Sequence, residues 1–386
     1  MGMALMALIV SAVLVAGAAS ALADGGDGPQ VQPGQAGAGR TVDRTALWQR
    51  SGRNLLAGFV NMYQPCVIDR PDETYRYRMW FFGSSATETN SHLGLPGCDM
   101  IFHARSRDLE RWDVWCGQDA GGQDQWDIGG GDIARWRPVV SPGGAFYDAW
   151  HNGDPSVVWR DGVYYMAYSA TSMPFDKPVA GHPWDMVCCV MGATSRDGVH
   201  WQRVAEPLLI APGNESSPLA DAAAIGEFDR PCLMWEDGRW RLWFDYVVPG
   251  KGLGMGHAVN TGEFAAPGGF GITHPLDQPL LDNWPNPEVV KVGAWYYGFA
   301  DPAILPGATG WAARQVAEAR SPDGLHWEVL GYVRPEADTP ACQIPQACVL
   351  TVDGKQWLYV FYACQIGGEP YNWRYDRIRC MRRPVE

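Results

Sequence analysis

The sequence is short of charge, and of positive charge most of all. Only 19% of its 386 residues are charged, with 30 Lys and Arg against 43 Asp and Glu, for a net charge of −13. That balance excludes nucleic acid and an anionic membrane surface as partners, because both demand clustered cations. Residues 1–23 carry no charge at all. After them no run is long and apolar enough to cross a bilayer, which takes about 20 residues. Neither Cys-x-x-Cys nor His-Glu-x-x-His occurs, so the chain carries no zinc signature and its metal ligands are unassigned. The Gly250–Gly256 run lacks the spacing of a dinucleotide-binding loop and reads as close backbone packing where a strand opens.

What is present begins with an export pattern. The uncharged start is apolar from Ala4 to Val15, and Ala21-Leu22-Ala23 offers a small-x-small cleavage site before Asp24. Residues 1–23 therefore read as a secretory signal peptide. The other reading is a membrane anchor, which the small residues of Ala16–Ala23 disfavour. Residues 24–40, rich in Gly, Pro and Gln, read as a flexible linker, and residues 41–386 as one folded domain. The expected product is a secreted or periplasmic monomer with no membrane contact after cleavage. An oxidising setting permits disulfides among the 10 Cys. Cys364 with Cys380, and Cys98 with Cys116, flank predicted hairpins and are the favoured pairs, whereas adjacent Cys188 and Cys189 read as core residues.

The chain has 46 Gly, 29 Pro and 12% aromatic residues, including 19 Trp, which predicts many short strands and turns. One motif recurs at Gln64–Val67, Asp154–Val157, Arg230–Leu233, Asn286–Val289 and Gln346–Val349, each time followed by a turn and an aromatic strand. Asp161-Gly162 and Asp237-Gly238 are hairpin signals, because a tight turn needs residues that accept positive φ. A second element runs from Ser106-Arg107-Asp108 to Trp112, from Ser195-Arg196-Asp197-Gly198 to Trp201, and from Ser321-Pro322-Asp323-Gly324 to Trp327. It resembles the Asp box of sialidases, one residue shorter between Asp and Gly. Four antiparallel strands in each of five units predict an all-β, five-bladed β-propeller. Trp48–Leu56 echoes Trp201–Leu209, a fourth strand, while the chain stops soon after a third strand at Arg377–Arg382. The N-terminal segment is therefore expected to complete the last blade and close the ring, removing an open edge.

In such a ring the long connections Gly83–Asp99, Val114–Trp150, Ala205–Glu227 and Ala265–Asn286 share one face, and long loops commonly carry function. The residues just before each first strand then surround the channel mouth. They are Asn61 and Gln64, then His151, Asn152 and Asp154, then Glu227, Asp229 and Arg230, then Asn283 and Asn286, and finally Gln343 and Gln346. Carboxylates, amides and one Arg suit a hydroxyl-rich ligand such as a carbohydrate. Trp150, Trp184, Trp284 and Trp373 lie in the loops of this face and read as platforms for a sugar ring. Trp80, Trp243, Trp295 and Trp357 read as packing between blades.

The repeated motif, the Asp154-Pro155 pair and the Ser-x-Asp-Gly-x-x-Trp elements resemble the five-bladed glycoside hydrolases, family 43 and the related family 32, over residues 41–386. The resemblance implies that Asp154 is the second-blade carboxylate that orients and tunes, and that Asp229, with Glu227 close by, holds the position of the third-blade acid. Gln64 stands where those families place an Asp as base or nucleophile. Asp245, Asp301 and Asp148 are the candidates for the missing group. The resemblance implies no required cofactor, and a structural Ca²⁺ in the channel as some relatives have. Glycoside cleavage needs one protonated carboxyl and usually a second ionised one. Crowding Asp154, Glu227 and Asp229 would raise at least one pKa, while Arg230 would lower another. The alternative function is a glycan-binding propeller without catalysis, which the absent first-blade Asp favours.

Overall fold

The computed structural model describes residues 42–58, 62–84, 99–143, 145–173, 186–211, 226–248, 252–304, 313–339, 342–364 and 377–385, with the backbone alone at 84, 226, 227, 342 and 343. Strands dominate. Among the described residues the helices are single 3₁₀ turns at Thr45–Leu47, Ile133–Arg135 and Phe146–Asp148. None is long and apolar enough to cross a membrane.

The strands are β1 (Gln49–Arg50), β2 (Leu56–Ala57), β3 (Tyr63–Asp69), β4 (Tyr77–Ser84), β5 (Asp99–Ser106), β6 (Trp112–Gln118) and β7 (Asp124–Asp127). Next come β8 (His151–Arg160), β9 (Val163–Thr171), β10 (Cys188–Ser195), β11 (Gln202–Arg203) and β12 (Leu209–Ile210). They are followed by β13 (Gly226–Glu236), β14 (Arg239–Val248), β15 (Gly252–Asn260), β16 (Gly271–Ile272), β17 (Glu288–Val292) and β18 (Trp295–Ala300). The last are β19 (Val316–Ser321), β20 (Glu328–Val333), β21 (Cys342–Val352), β22 (Lys355–Cys364) and β23 (Arg377–Pro384). β13–β16 and β17–β20 each form a four-stranded antiparallel sheet in chain order. β3–β7 and β8–β12 share one sheet, joined by a single parallel pair, Asp99 with His151. β21, β22 and β23 form another, with β1 and β2 on its outer edge.

That edge bears out the N-terminal pairing expected from the echo. Gln49 pairs with Arg382 and Arg50 with Met381, then Leu56 with Ile378 and Ala57 with Arg377. β11 and β12 split in the same way along β10, with Gln202 opposite Thr194 and Leu209 opposite Val190. The segment before β1 reaches a different sheet. Arg44 pairs with Glu318 at 2.7 Å and the Tyr332 N–H donates to the Val42 carbonyl at 2.9 Å.

Local chemistry explains the turns. Asp161-Gly162, Asp237-Gly238 and Asp353-Gly354 take φ of 51° and 79°, 50° and 75°, and 50° and 73°, the paired left-handed residues of a tight hairpin. In the second repeated element, Ser195 Oγ accepts from the N–H groups of Asp197 and Gly198, and Asp197 Oδ1 accepts from those of Val199 and His200. Trp80 of β4 donates its indole N–H to the Gly198 carbonyl at 2.9 Å, and Trp243 of β14 does the same to Gly324 at 2.9 Å. Each of these two turns is thus a dock for a buried Trp of a preceding hairpin, β3–β4 or β13–β14. Trp295 departs from the expected packing role: it is 40% exposed, with the Arg320 guanidinium over its ring.

Cys188 and Cys189 are buried, as expected. The favoured Cys364–Cys380 pair is corrected, since the register sets Cys364 opposite Arg377 and Cys380 opposite Phe361, and Cys380 is a free thiol. Cys116 is also free, and Cys98 lies outside the described residues.

Candidate functional site

Four leading strands share one irregularity. From Tyr63 to Cys66, β3 spends three steps while β4 spends two, from Phe82 to Trp80, so one residue bulges. The same happens between Gly153 and Ser156, Asp229 and Cys232, and Gln343 and Gln346. The bulged residues Gln64, Asp154, Arg230 and Ile344 have φ of 44°, 48°, 48° and 47°, and Asn286, just before β17, has 52°. Each is followed by proline. Three of their N–H groups are pinned by a side chain of the preceding leading hairpin: Arg230 to Ser169 Oγ at 2.8 Å, Asn286 to Asp245 Oδ2 at 2.8 Å, and Ile344 to Asp301 Oδ2 at 3.1 Å.

This register corrects the fifth copy of the motif. Ile344-Pro345 is the counterpart of Asp154-Pro155, so Gln346 falls one layer deeper, level with Cys66, Ser156, Cys232 and Glu288. That layer is stitched by hydrogen bonds from strand to strand. Val157 N–H donates to Cys66 Sγ at 3.3 Å, Leu233 N–H to Ser156 Oγ at 2.8 Å, and Val289 N–H to Cys232 Sγ at 3.2 Å. Ala347 N–H donates to the Glu288 carboxyl, and Val67 N–H to Gln346 Oε1 at 3.0 Å, returning to the first leading strand.

Above this layer the carboxylates gather. Asp229 of β13 sits directly opposite Asp245 of β14. Arg230 Nη1 lies 3.2 Å from Asp245 Oδ1 and 3.6 Å from Asp229 Oδ2. Burial pushes the Asp245 carboxyl up to about 7, and the charges of Asp229 and Asp154 push the same way against Arg230 and the Asn286 N–H. Burial alone would lower the Arg230 pKa, but Asp245, Asp229 and Asp154 outweigh it and raise it. Of these carboxyls Asp245 is the one whose burial favours the protonated form. Both Asp245 oxygens are engaged. Asp154 Oδ1 and Asp229 Oδ1 are buried and have no hydrogen-bond partner among the described residues, so they retain capacity for a ligand.

A second pair adjoins Asp154. His151 Nδ1 donates to Asp99 Oδ2 at 2.8 Å, and His151 Nε2 lies 3.8 Å from Asp154 Oδ2. The imidazole meets the Phe82 ring edge-on at 5.8 Å. Gly153 makes room for it, since a Cβ there would come within 2.7 Å of the ring. Asp99 escaped the sequence reading. It opens β5 at the end of a long connection, and only the parallel pair of Asp99 with His151 brings it to the site.

No protein-family model and no curated protein matches the chain. Solved structures do. Similar ones are Zg3597, a family 117 glycoside hydrolase from the marine bacterium Zobellia galactanivorans (14% identity, 87% of this chain and 89% of that one, TM-score 0.51), and a BT0996 RGII complex (14%, 88% and 91%, 0.55). The α-L-arabinanase of Cellvibrio cellulosa complexed with arabinohexaose matches at 12% identity over 83% of this chain and 91% of that one, with a TM-score of 0.50. The fold is like that of the propeller glycoside hydrolases. At such identities the likeness is one of fold, and site residues have to be judged on their own geometry.

Within this propeller-like fold the other expected residues divide. Gln64 is buried, with neither amide atom bonded among the described residues. Asn152 is buried and its Nδ2 contacts the Asp148 carbonyl at 3.4 Å. Asn286 Nδ2 donates to Asp301 Oδ1 at 2.5 Å, and Asp301 Oδ2 also accepts from Arg314 at 2.9 Å. Asp148 Oδ2 accepts from Arg203 at 2.6 Å. Asp245, Asp301 and Asp148 are thus tied to cations, Asp245 and Asp301 also to bulge N–H groups, and none is shaped as a base. Trp150 is half-buried, whereas Trp284 is fully buried among Cys232, Trp243 and Val289 and offers no platform. Asn61, Trp184 and Trp373 lie outside the described residues, as do the side chains of Glu227 and Gln343. The layer that holds two thiols, Cys66 and Cys232, does not fit Ca²⁺, a hard cation that takes six to eight oxygens, roughly. Burial raises both thiol pKa values and keeps the groups neutral.

Proposed function

We propose that the chain is an exported, monomeric glycoside hydrolase built as a five-bladed propeller, its ring completed by β1 and β2. The hydrogen bonds that pass through five leading strands and return to the first support this architecture. The observation that carries the chemistry is the convergence of Asp154, Asp229 and Asp245 on Arg230, with one buried oxygen of Asp154 and one of Asp229 unengaged by described groups. In this reading Asp229, or its neighbour Glu227, protonates the departing glycosidic oxygen. Asp154 orients the sugar. The substrate is a carbohydrate, as in the similar complexes with RGII or arabinohexaose.

The test is a screen of purified protein against aryl furanosides, aryl pyranosides, and plant and algal polysaccharides. Loss of a positioned acid typically costs roughly 10²–10⁴-fold in rate. Asp229→Asn or Glu227→Gln should lower turnover by that much, and the true acid variant should recover on an aryl glycoside with a good leaving group. Gln64 at the first leading strand favours a second reading, a glycan-binding protein without turnover. Binding without hydrolysis across the panel would establish that reading instead.

A further inference from the structure

We infer that His151, held by Asp99, is the general base of this site and takes the part that Gln64 leaves unfilled. The inference rests on the glycosidase reading above and goes beyond it by naming the group that activates water. Its basis is geometric. Asp99 accepts the Nδ1 proton at 2.8 Å, which fixes the tautomer and leaves the lone pair on Nε2. Nε2 faces Asp154 Oδ2 across 3.8 Å, longer than a hydrogen bond, so the two are near neighbours without being a bonded pair. Phe82 from β4 and the absent side chain of Gly153 hold the ring in this pose. Asp99 from β5 and Asp154 from the same strand are the charged groups that face the imidazole among the described residues. The carboxylates that the sequence offered as bases are already tied to Arg230, Arg314 and Arg203.

The step balances without any further reactant. A water oxygen forms a bond to the anomeric carbon while its proton passes to His151 Nε2. The glycosidic C–O bond breaks with its electron pair on the leaving oxygen, which takes the proton held by the acid. The products together equal substrate plus one water. The imidazolium then loses its proton to solvent and the acid regains one. Asp99 is a positioning residue, touching the base and not the substrate.

The experiment uses the intact protein and an aryl glycoside that the wild type cleaves. His151→Gln should lose roughly 10²–10⁴-fold in kcat even with the best leaving group, which the variant of the true acid, Asp229→Asn or Glu227→Gln, should not. Imidazole added to His151→Gly should restore part of the rate. Asp99→Asn should keep KM and move the acid limb of the kcat/KM profile to lower pH, because the imidazolium loses a stabilising charge. Thermal unfolding checks that each variant is folded, and if His151→Gln is not, the Asp99→Asn profile decides alone. A folded His151→Gln within threefold or so of wild type, or an unmoved acid limb in Asp99→Asn, overturns the inference while leaving the glycosidase reading intact. A wild type that cleaves nothing overturns both.

Discussion

A left-handed φ is cheap for glycine and costs roughly 1–3 kcal/mol for a residue with a side chain. Gln64, Asp154, Arg230, Asn286 and Ile344 all hold one, and each precedes a proline that restricts it further. The bulge re-aims their side chains, and the pinned N–H groups of Arg230, Asn286 and Ile344 offset part of the cost. One layer down, Glu288 shows the opposite economy. Burial pushes its carboxyl up to about 8 from the ordinary 4.5, against the Ala347 N–H, Cys232 and Gln346 contacts that lower it. The folded chain therefore keeps a proton that the unfolded chain releases, and stability falls as pH rises from 4.5 to about 8. Glu288→Gln keeps an acceptor for the Ala347 N–H and carries no titrating group. Its melting temperature should fall less than that of wild type across this window, with the remaining slope owed in part to Asp245. Equal slopes in scanning calorimetry would show that Glu288 is not held neutral.

At the scale of an element, the Ser-x-Asp-Gly turn serves two hairpins at once. Its own side chains close the loop, and its glycine carbonyl receives a Trp from a preceding hairpin. Gly198 has a φ of 83°, and a Cβ there would lie 2.9 Å from the Trp80 ring. Gly162 has a similar φ of 79° with nothing within 4 Å. Gly198→Ala should thus cost roughly 1–2 kcal/mol for the backbone and a further 1–3 kcal/mol or so for overpacking, whereas Gly162→Ala should cost the backbone part alone. Urea unfolding of the two variants separates these contributions.

For the whole molecule, the N-terminal segment matters out of proportion to its length. Trp48 packs edge-on against Phe299 at 5.9 Å, while Leu55 and Leu56 join the core around Phe361 and Ile378. Burying three such side chains is worth roughly 1.5–3 kcal/mol each, which together approaches the about 5–15 kcal/mol that holds a typical domain folded. Deleting residues 1–57 should strip the edge of β23 and lower the melting temperature of the entire protein in one cooperative step. Unchanged thermal unfolding of the truncated chain would mean that β1 and β2 contribute nothing to closure.

Local chemistry was enough for much of this. Asp-Gly pairs determine hairpins because few residues accept positive φ, and the Ser-x-Asp-Gly element closes on its own side chains, so turns, strand order and the N-terminal echo were legible in the chain. The places of Asp154 and Asp229 on leading strands were legible too, one residue before Pro155 and two before Pro231. The fifth motif was misread because Cys348 resembles Cys66 and Cys232, whereas the bulge that sets the register belongs to Ile344-Pro345. The pairing of Asp99 with His151, the engagement of Asp245 and Asp301 by arginines, and the burial of Trp284 were decided by the tertiary structure. Each depends on contacts between strands far apart in the chain, and no local spacing encodes the distance between them.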